Sequence, residues 1–178
     1  MKEDRDASKA ASSHKHSSPK KLKLALFTVS SSRSRDPKMS DESGEIAKEL
    51  CKKAGHVFSH EIIDDSKPII RLKVLKALFE DGSDAAILMG GTGLAPRDVT
   101  IEAITPLLDK TLNGFGEIFR TMSYESIGTP ALMSRAIAGT TDSKLVFCLP
   151  GSPDAAKQGI HLILNELPHA VFIASSKP

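Results

Sequence analysis

The sequence predicts an α/β protein, a three-layer sandwich with a mostly parallel central sheet and helices on both faces. Three observations carry that expectation. Short runs such as Ala85 to Met89 are apolar at every position, the pattern of strands covered on both sides. Between such runs lie longer stretches of helical period, Asp41 to Ala54 being the clearest. Strand-like and helix-like segments alternate in a β-α-β-α-β rhythm, the signature of a parallel sheet with crossover helices.

Taken in order, Leu22 to Val29 reads as a buried strand, followed by a polar, Ser-rich loop from Ser30 to Ser40. Asp41 to Ala54 reads as a helix. Ile46, Ala47, Leu50, Cys51 and Ala54 share one face, Asp41, Glu42 and Glu45 sit at the electropositive start, and Gly55 ends it. Val57 to Ile63 is the second strand. Ser66-Lys67-Pro68 opens a second helix, with proline in its first turn, that runs through Phe79 until Gly82. Asp84 to Met89 is a central third strand. The Gly-rich segment Gly90 to Asp98 then leads into a short helix around Thr100 to Leu108. Glu117 to Ser126 reads as helical and Ala131 to Ala138 as mixed, and Thr140 to Lys144 reads as a hairpin turn into the strand Leu145 to Leu149. Pro150 to Pro153 turns the chain into an amphipathic helix over Asp154 to Leu167, and Ala170 to Ala174 is expected to add an edge strand.

A chain of 178 residues suits one domain, residues 22–178, preceded by a basic tail, residues 1–21. The tail holds six Lys/Arg against three acids, and the remainder holds 18 basic and 19 acidic residues. The basic excess therefore belongs to the tail. With no branched aliphatic residue before Leu22, it is expected to be a disordered extension, a weak contact with nucleic acid or an acidic partner being the sharper alternative. Seven Phe, one Tyr and no Trp argue against aromatic platforms for single-stranded nucleic acid. No apolar run approaches the ~18 residues that span a bilayer, and no apolar segment precedes Leu22 to act as a secretory signal. Cys51 and Cys148 alone make neither a disulfide scaffold nor a multi-Cys zinc site. A soluble, cytoplasmic protein is the expectation.

Two strand-loop-helix turns stand out, Gly90 to Asp98 and Pro150 to Pro153, both at carboxyl ends of strands, where open α/β sheets bind ligands. Glycines allow close approach to bare amides, and a following helix start adds partial positive charge. Ser152 before Pro153 reads as an N-cap followed by a first-turn proline. The loop lacks the Lys-Ser/Thr pair of a Walker motif, and Pro96 stands where the dinucleotide fingerprint has its last glycine. The residues thus leave a phosphate or nucleotide cradle and a purely structural tight turn both open. Asp98 beside such a cradle makes sense where a metal ion or proton transfer needs a carboxylate, or as a helix cap. Asp41 offers a second carboxylate at the same edge, or a second cap, and its spacing favours the cap.

Six ordered stretches carry a resemblance. They are Met89-Gly-Gly-Thr-Gly-Leu-Ala-Pro-Arg-Asp-Val-Thr100, Thr28-Val29-Ser30, Asp41-Glu-Ser-Gly44, Gly114-Phe-Gly-Glu-Ile-Phe-Arg120, Ser134-Arg135 and Leu149-Pro-Gly-Ser152. In order and spacing, from about Leu22 to Ala174, the chain resembles the MoaB/Mog family of molybdenum-cofactor biosynthesis, whose fold gephyrin shares. The resemblance implies a molybdopterin adenylyltransferase, which moves AMP from MgATP to the terminal phosphate of molybdopterin and releases pyrophosphate. It implies a homotrimer or hexamer and a downstream metal-insertion protein. It places nucleotide and phosphates at Gly90, Gly91, Thr92, Gly93, Pro150, Gly151, Ser152 and Pro153. It assigns Asp41 and Asp98 catalytic roles, organising Mg2+ and the attacking phosphate, and it places molybdopterin contacts at Ser30, Ser31, Glu117, Ser134 and Arg135. The chain departs from the pattern in two places. Ser31-Ser32 stands where many relatives carry an acid after Thr-Val-Ser, which keeps a non-catalytic pterin carrier as the alternative. Asn113 stands where a proline often precedes Gly-Phe-Gly-Glu.

His56 and His60 lie four apart on a strand, about 13 Å, too far to share a metal. His161 and His169 read as surface or packing residues, Cys148 as a buried small hydrophobe, and Ser152 lacks the context of a hydrolase nucleophile.

Overall fold

A computed structural model describes residues 21–36 and 38–176. The expected tail, residues 1–21, lies outside them apart from Lys21. Six strands form one sheet: β1 (Lys23–Val29), β2 (Val57–Ile63), β3 (Ala85–Met89), β4 (Lys110–Thr111), β5 (Ile137–Thr141) and β6 (Lys144–Leu149). Their order is β2-β1-β3-β6-β5-β4. The first four neighbours run parallel, in the register Leu26↔His60, Leu26↔Ile87 and Ile87↔Phe147. β5 and β4 continue the sheet antiparallel. The β5–β6 hairpin turns through Asp142 and Ser143, both in the left-handed region.

Alternation along the strands divides the core into two layers. Leu24, Leu26, Ile87, Met89, Leu145, Phe147 and Leu149 face one side, packing on Ala47 and Cys51 of α2 (Glu42–Lys53), Phe119 of α5 (Asn113–Ile127) and Ile160, Ile163 and Leu167 of α6 (Pro153–Ser175). Ala25, Phe27, Val29, Ala86, Leu88, Val146 and Cys148 face the other, under Ile70 and Val74 of α3 (Lys67–Leu75) and Ala103 and Ile104 of α4 (Thr100–Ile104). Every β3 side chain is buried, as its unbroken apolar run requires. The result is the three-layer sandwich expected from the sequence.

The departures are local. The Ser-rich loop contains a short helix, α1 (Ser31–Arg35), capped by Ser30. The helix expected over Glu117 to Ser126 starts earlier, at Asn113. The edge strand expected at Ala170 to Ala174 does not form: α6 runs through Pro168 to Ser175. Its buried stripe Ala156, Ile160, Ile163, Leu167 and Val171 continues at helical spacing past the proline, so packing carries the helix through. No helix among the described residues is long and apolar enough to cross a membrane.

β2 and β3 lie on opposite sides of β1, so the connections leaving β1 and β3 diverge at their carboxyl ends. In an open α/β sheet that divergence opens a crevice.

Candidate active site

The crevice is floored by the loop after β3. Gly90 and Gly91 have φ of +103° and +62°, and a Cβ on Gly90 would lie 2.5 Å from the Val29 carbonyl oxygen. Only glycine fits that conformation at that distance. Three loop carbonyls are held by protein donors: Gly90 O by Thr100 Oγ1 at 2.8 Å, Gly91 O by Thr100 N at 2.9 Å, and Gly93 O by Arg135 Nη1 at 3.0 Å. In a trans peptide the next N–H points opposite to its carbonyl. The amides turned away in this manner belong to Gly91, Thr92 and Leu94, and none donates to a protein acceptor among the described residues. Such a row of bare amides is an anion seat.

The loop after β6 closes against it. Gly90 N donates to Leu149 O at 2.9 Å, and a Cβ on Gly151 would stand 2.9 Å from Gly90 Cα. Ser152 caps α6, its Oγ accepting from Ala155 N at 3.3 Å. Loops after β1, β2, β3 and β6, with α5 and the 3-10 turn Thr129–Met133, enclose a cleft of about 500 Å³. Arg33, Arg97 and Arg135 bring positive charge, Asp65 and Asp98 bring two carboxylates, and Phe119, Ile127, Pro130 and Met133 form an apolar wall.

Ser30, Ser31, Gly90, Gly91, Thr92, Gly93, Asp98, Ser134, Arg135, Pro150, Gly151 and Ser152 all line this cleft. Pro153 is the first residue of α6, just behind it. Asp98 Oδ2 accepts from Ala95 N at 2.9 Å, closing the Gly loop on itself. Two expected residues stand elsewhere. Glu117 borders a separate cavity with Gly116, Arg120 and Ala136.

Asp41, expected to offer the second carboxylate of the site, is the N-cap of α2, with Oδ1 accepting from Gly44 N at 3.0 Å and Ser43 Oγ at 3.2 Å. Its Oδ2 accepts from Thr28 Oγ1 at 2.7 Å, and His60 Nε2 lies 3.1 Å from both oxygens. Burial works to raise the Asp41 carboxyl, but the Thr28 and Gly44 hydrogen bonds, His60 and Ser43 together hold it below its ordinary value. Burial lowers His60, with Asp41 opposing.

The carboxylate that does join Asp98 is Asp65, which the sequence reading missed. It follows β2, and the parallel register that sets Val29 beside Ile63 carries it to the start of α1. There Ser31 N donates to Asp65 Oδ2 at 3.2 Å and Ser31 Oγ donates to Asp64. Asp65 Oδ1 is buried without a partner among the described residues, on the side of Gly91, whose added Cβ would lie 3.6 Å away. The first loop thus has Ser31-Ser32 in place of an acid but grips two carboxylates that follow β2. Asp64-Asp65 directly after the second strand was the available signal.

Fold and cleft define a class, an α/β protein with a glycine-loop cleft at the switch point of its sheet. The sequence matches, over residues 25–169, the family described as "Probable molybdopterin binding domain", and the chain belongs to that family. It is 45% identical over 162 residues to molybdenum cofactor biosynthesis protein B of Bacillus cereus, covering 89% of this chain and 94% of that protein. Against the protein of the same name from Bacillus subtilis it is 45% identical over 161 residues, covering 89% and 93%. Among solved structures, a molybdenum cofactor biosynthesis protein B superposes with a TM-score of 0.80 at 43% identity, over 88% of this chain and 97% of that one. The tungsten cofactor synthesizing protein MoaB from Pyrococcus furiosus does so at 0.77 and 40%, over 89% and 99%.

Proposed function

We propose that the protein acts in molybdenum-cofactor biosynthesis by binding molybdopterin and MgATP in this cleft and transferring AMP to the terminal phosphate of molybdopterin. The relatives' names support the pathway. The observation that carries the chemistry is the Gly90–Gly93 loop, where the Gly90 and Gly91 carbonyls are tied back by Thr100 while the Gly91 and Thr92 amides stay bare among the described residues, with Asp65 and Asp98 in the same cleft.

In this reading the loop amides and Arg33, Arg97 and Arg135 take the phosphate charge, and the wall of Ile127, Pro130 and Met133 receives a planar ring. A terminal phosphate oxygen of the pterin attacks the α-phosphorus of ATP. The new P–O bond forms as the bond to the bridging oxygen breaks, and pyrophosphate leaves with the electron pair. No general base is needed, because the nucleophile is already ionised; the chain's work is positioning and neutralisation. Among the described residues no group of three or more His, Cys, Asp or Glu is placed to hold a metal. Mg2+, however, is commonly held by one or two carboxylates plus substrate phosphates. Asp98 and the unpartnered oxygen of Asp65 fit that need, and the ion, arriving with ATP, supplies further neutralisation at the phosphates.

Asp98→Asn tests the reading. Asn keeps an acceptor for the Ala95 N–H and so the fold, while turnover falls on the order of 100-fold. Undiminished turnover would reduce Asp98 to a cap. The alternative, a non-catalytic pterin carrier, draws on Ser31-Ser32 in the first loop and gives pterin binding without ATP consumption. A homotrimer or hexamer is the assembly expected, to be read by light scattering, with the downstream metal-insertion protein as the partner that takes the adenylylated product.

A further inference from the structure

Arg135 reaches the cleft from the segment before β5, yet both arms of its guanidinium are engaged by protein. Nη1 donates to Gly93 O at 3.0 Å and Nη2 donates to Glu102 Oε1. Glu102 lies on α4, the helix that the Gly loop leads into. The backbone of that helix is anchored in turn by Arg71, through Glu102 O at 3.2 Å and Ala103 O at 3.0 Å. The second carboxyl oxygen of Glu102 is buried and accepts no hydrogen bond among the described residues. The contacts close a ring: Gly loop, α4, Glu102, Arg135, and back to Gly93.

We infer that Glu102 is a positioning residue for the anion seat: it acts through Arg135, holding that guanidinium on the Gly93 carbonyl and offsetting its charge. Glu102 does not line the cleft, so it touches no substrate. The two consequences have opposite signs. Fixing Gly93 O pins the far end of the Gly loop and keeps the Gly91 and Thr92 donors in one geometry, which favours turnover. Offsetting Arg135 weakens the field felt by any anion, which disfavours ground-state binding. A residue that merely supported the fold would not separate the two. The inference rests on the reading of the cleft as a phosphate seat.

The test uses the full chain and inorganic pyrophosphate as the probe, with calorimetry for affinity and AMP transfer for turnover. In Glu102→Gln the amide keeps the shape and loses the charge. Pyrophosphate then binds more tightly, by roughly two- to fivefold at low salt, while kcat falls at least about tenfold as the loop loosens. Arg135→Met removes the intermediary, and adding Glu102→Gln to it changes neither quantity further. Arg135→Lys, which has no fork to span both partners, shows the same fall in kcat. Weaker binding and lower kcat in parallel, with a lower Tm, would make Glu102 structural and overturn the inference. So would additive effects in the double variant. Wild-type protein that binds no pyrophosphate overturns the reading of the cleft itself, and the inference with it. Wild-type binding that Glu102→Gln leaves unaltered overturns this inference alone.

Discussion

Gly90→Ala places one methyl group against the backbone at the floor of the cleft. The native φ of +103° lies beyond even the left-handed helical region, where an L-residue already costs about 1–2 kcal/mol. The new Cβ would also stand 2.5 Å from the Val29 carbonyl oxygen, a backbone atom at the end of a central strand that cannot swing aside. Overpacking of that kind costs about 1–3 kcal/mol. Together they make a loss of about 3 kcal/mol, which for a domain of this size lowers Tm by roughly 6–12 °C. Relief has to come from the loop, so the amides of Gly91 and Thr92 lose alignment and pyrophosphate affinity falls as well. Gly114→Ala is the control, since a Cβ there meets nothing within 4 Å and the site is in the first turn of α5. That change should leave Tm within about 3 °C of wild type, or raise it slightly. Scanning calorimetry and pyrophosphate titration read both variants. A Gly90→Ala protein with wild-type Tm and wild-type affinity would refute the claim that the loop geometry demands glycine.

Asp41→Ala removes the α2 cap and the partner of Thr28 and His60. It should cost about 2 kcal/mol, roughly 4–8 °C in Tm, while pyrophosphate affinity holds; lost affinity at unchanged Tm would return Asp41 to the site. Asp65→Asn should weaken Mg2+-dependent nucleotide binding while leaving Tm close to wild type, and the same affinity with and without Mg2+ in both proteins would count against its role. Acidification should destabilise the fold from about pH 6.5 downward. Burial lowers both His56 and His60 below their ordinary value, so the unfolded chain binds more protons in that window and stability falls with pH. Asp41, also lowered, extends the loss below its ordinary value of 3.8. A Tm that is flat or rising between pH 7.5 and about 5.5 would contradict this.

Strands β1, β3 and β6 were legible because central parallel strands are apolar on both faces, whereas the edge strand β2 alternates and reads through its branched and aromatic residues. The two Gly-Pro turns were legible for a related reason, since few residues tolerate those conformations. Asp41 and Asp65 show where a linear reading stops. Both follow a loop or strand at the carboxyl edge, and a helix-capping Asp has the same sequence appearance as a cleft Asp. What separates them is the register of β2 on β1, which carries Asp65 to Ser31 and sets His60 beside Asp41. Glu102 was silent in the same way, because its partner Arg135 lies 33 residues along the chain. Pro168 misled in the other direction. It reads as a helix stop, yet the burial of Leu167 and Val171 against the sheet carries α6 past it.

The central claim is group transfer, and mass spectrometry of one incubation tests it most directly. Full-length protein with molybdopterin, ATP and Mg2+ should yield adenylylated pterin and an equal amount of pyrophosphate, and Asp98→Asn should yield each on the order of 100-fold more slowly. Pterin bound by the wild-type protein, with ATP left intact and no pyrophosphate released, would contradict the transferase and leave a carrier in its place.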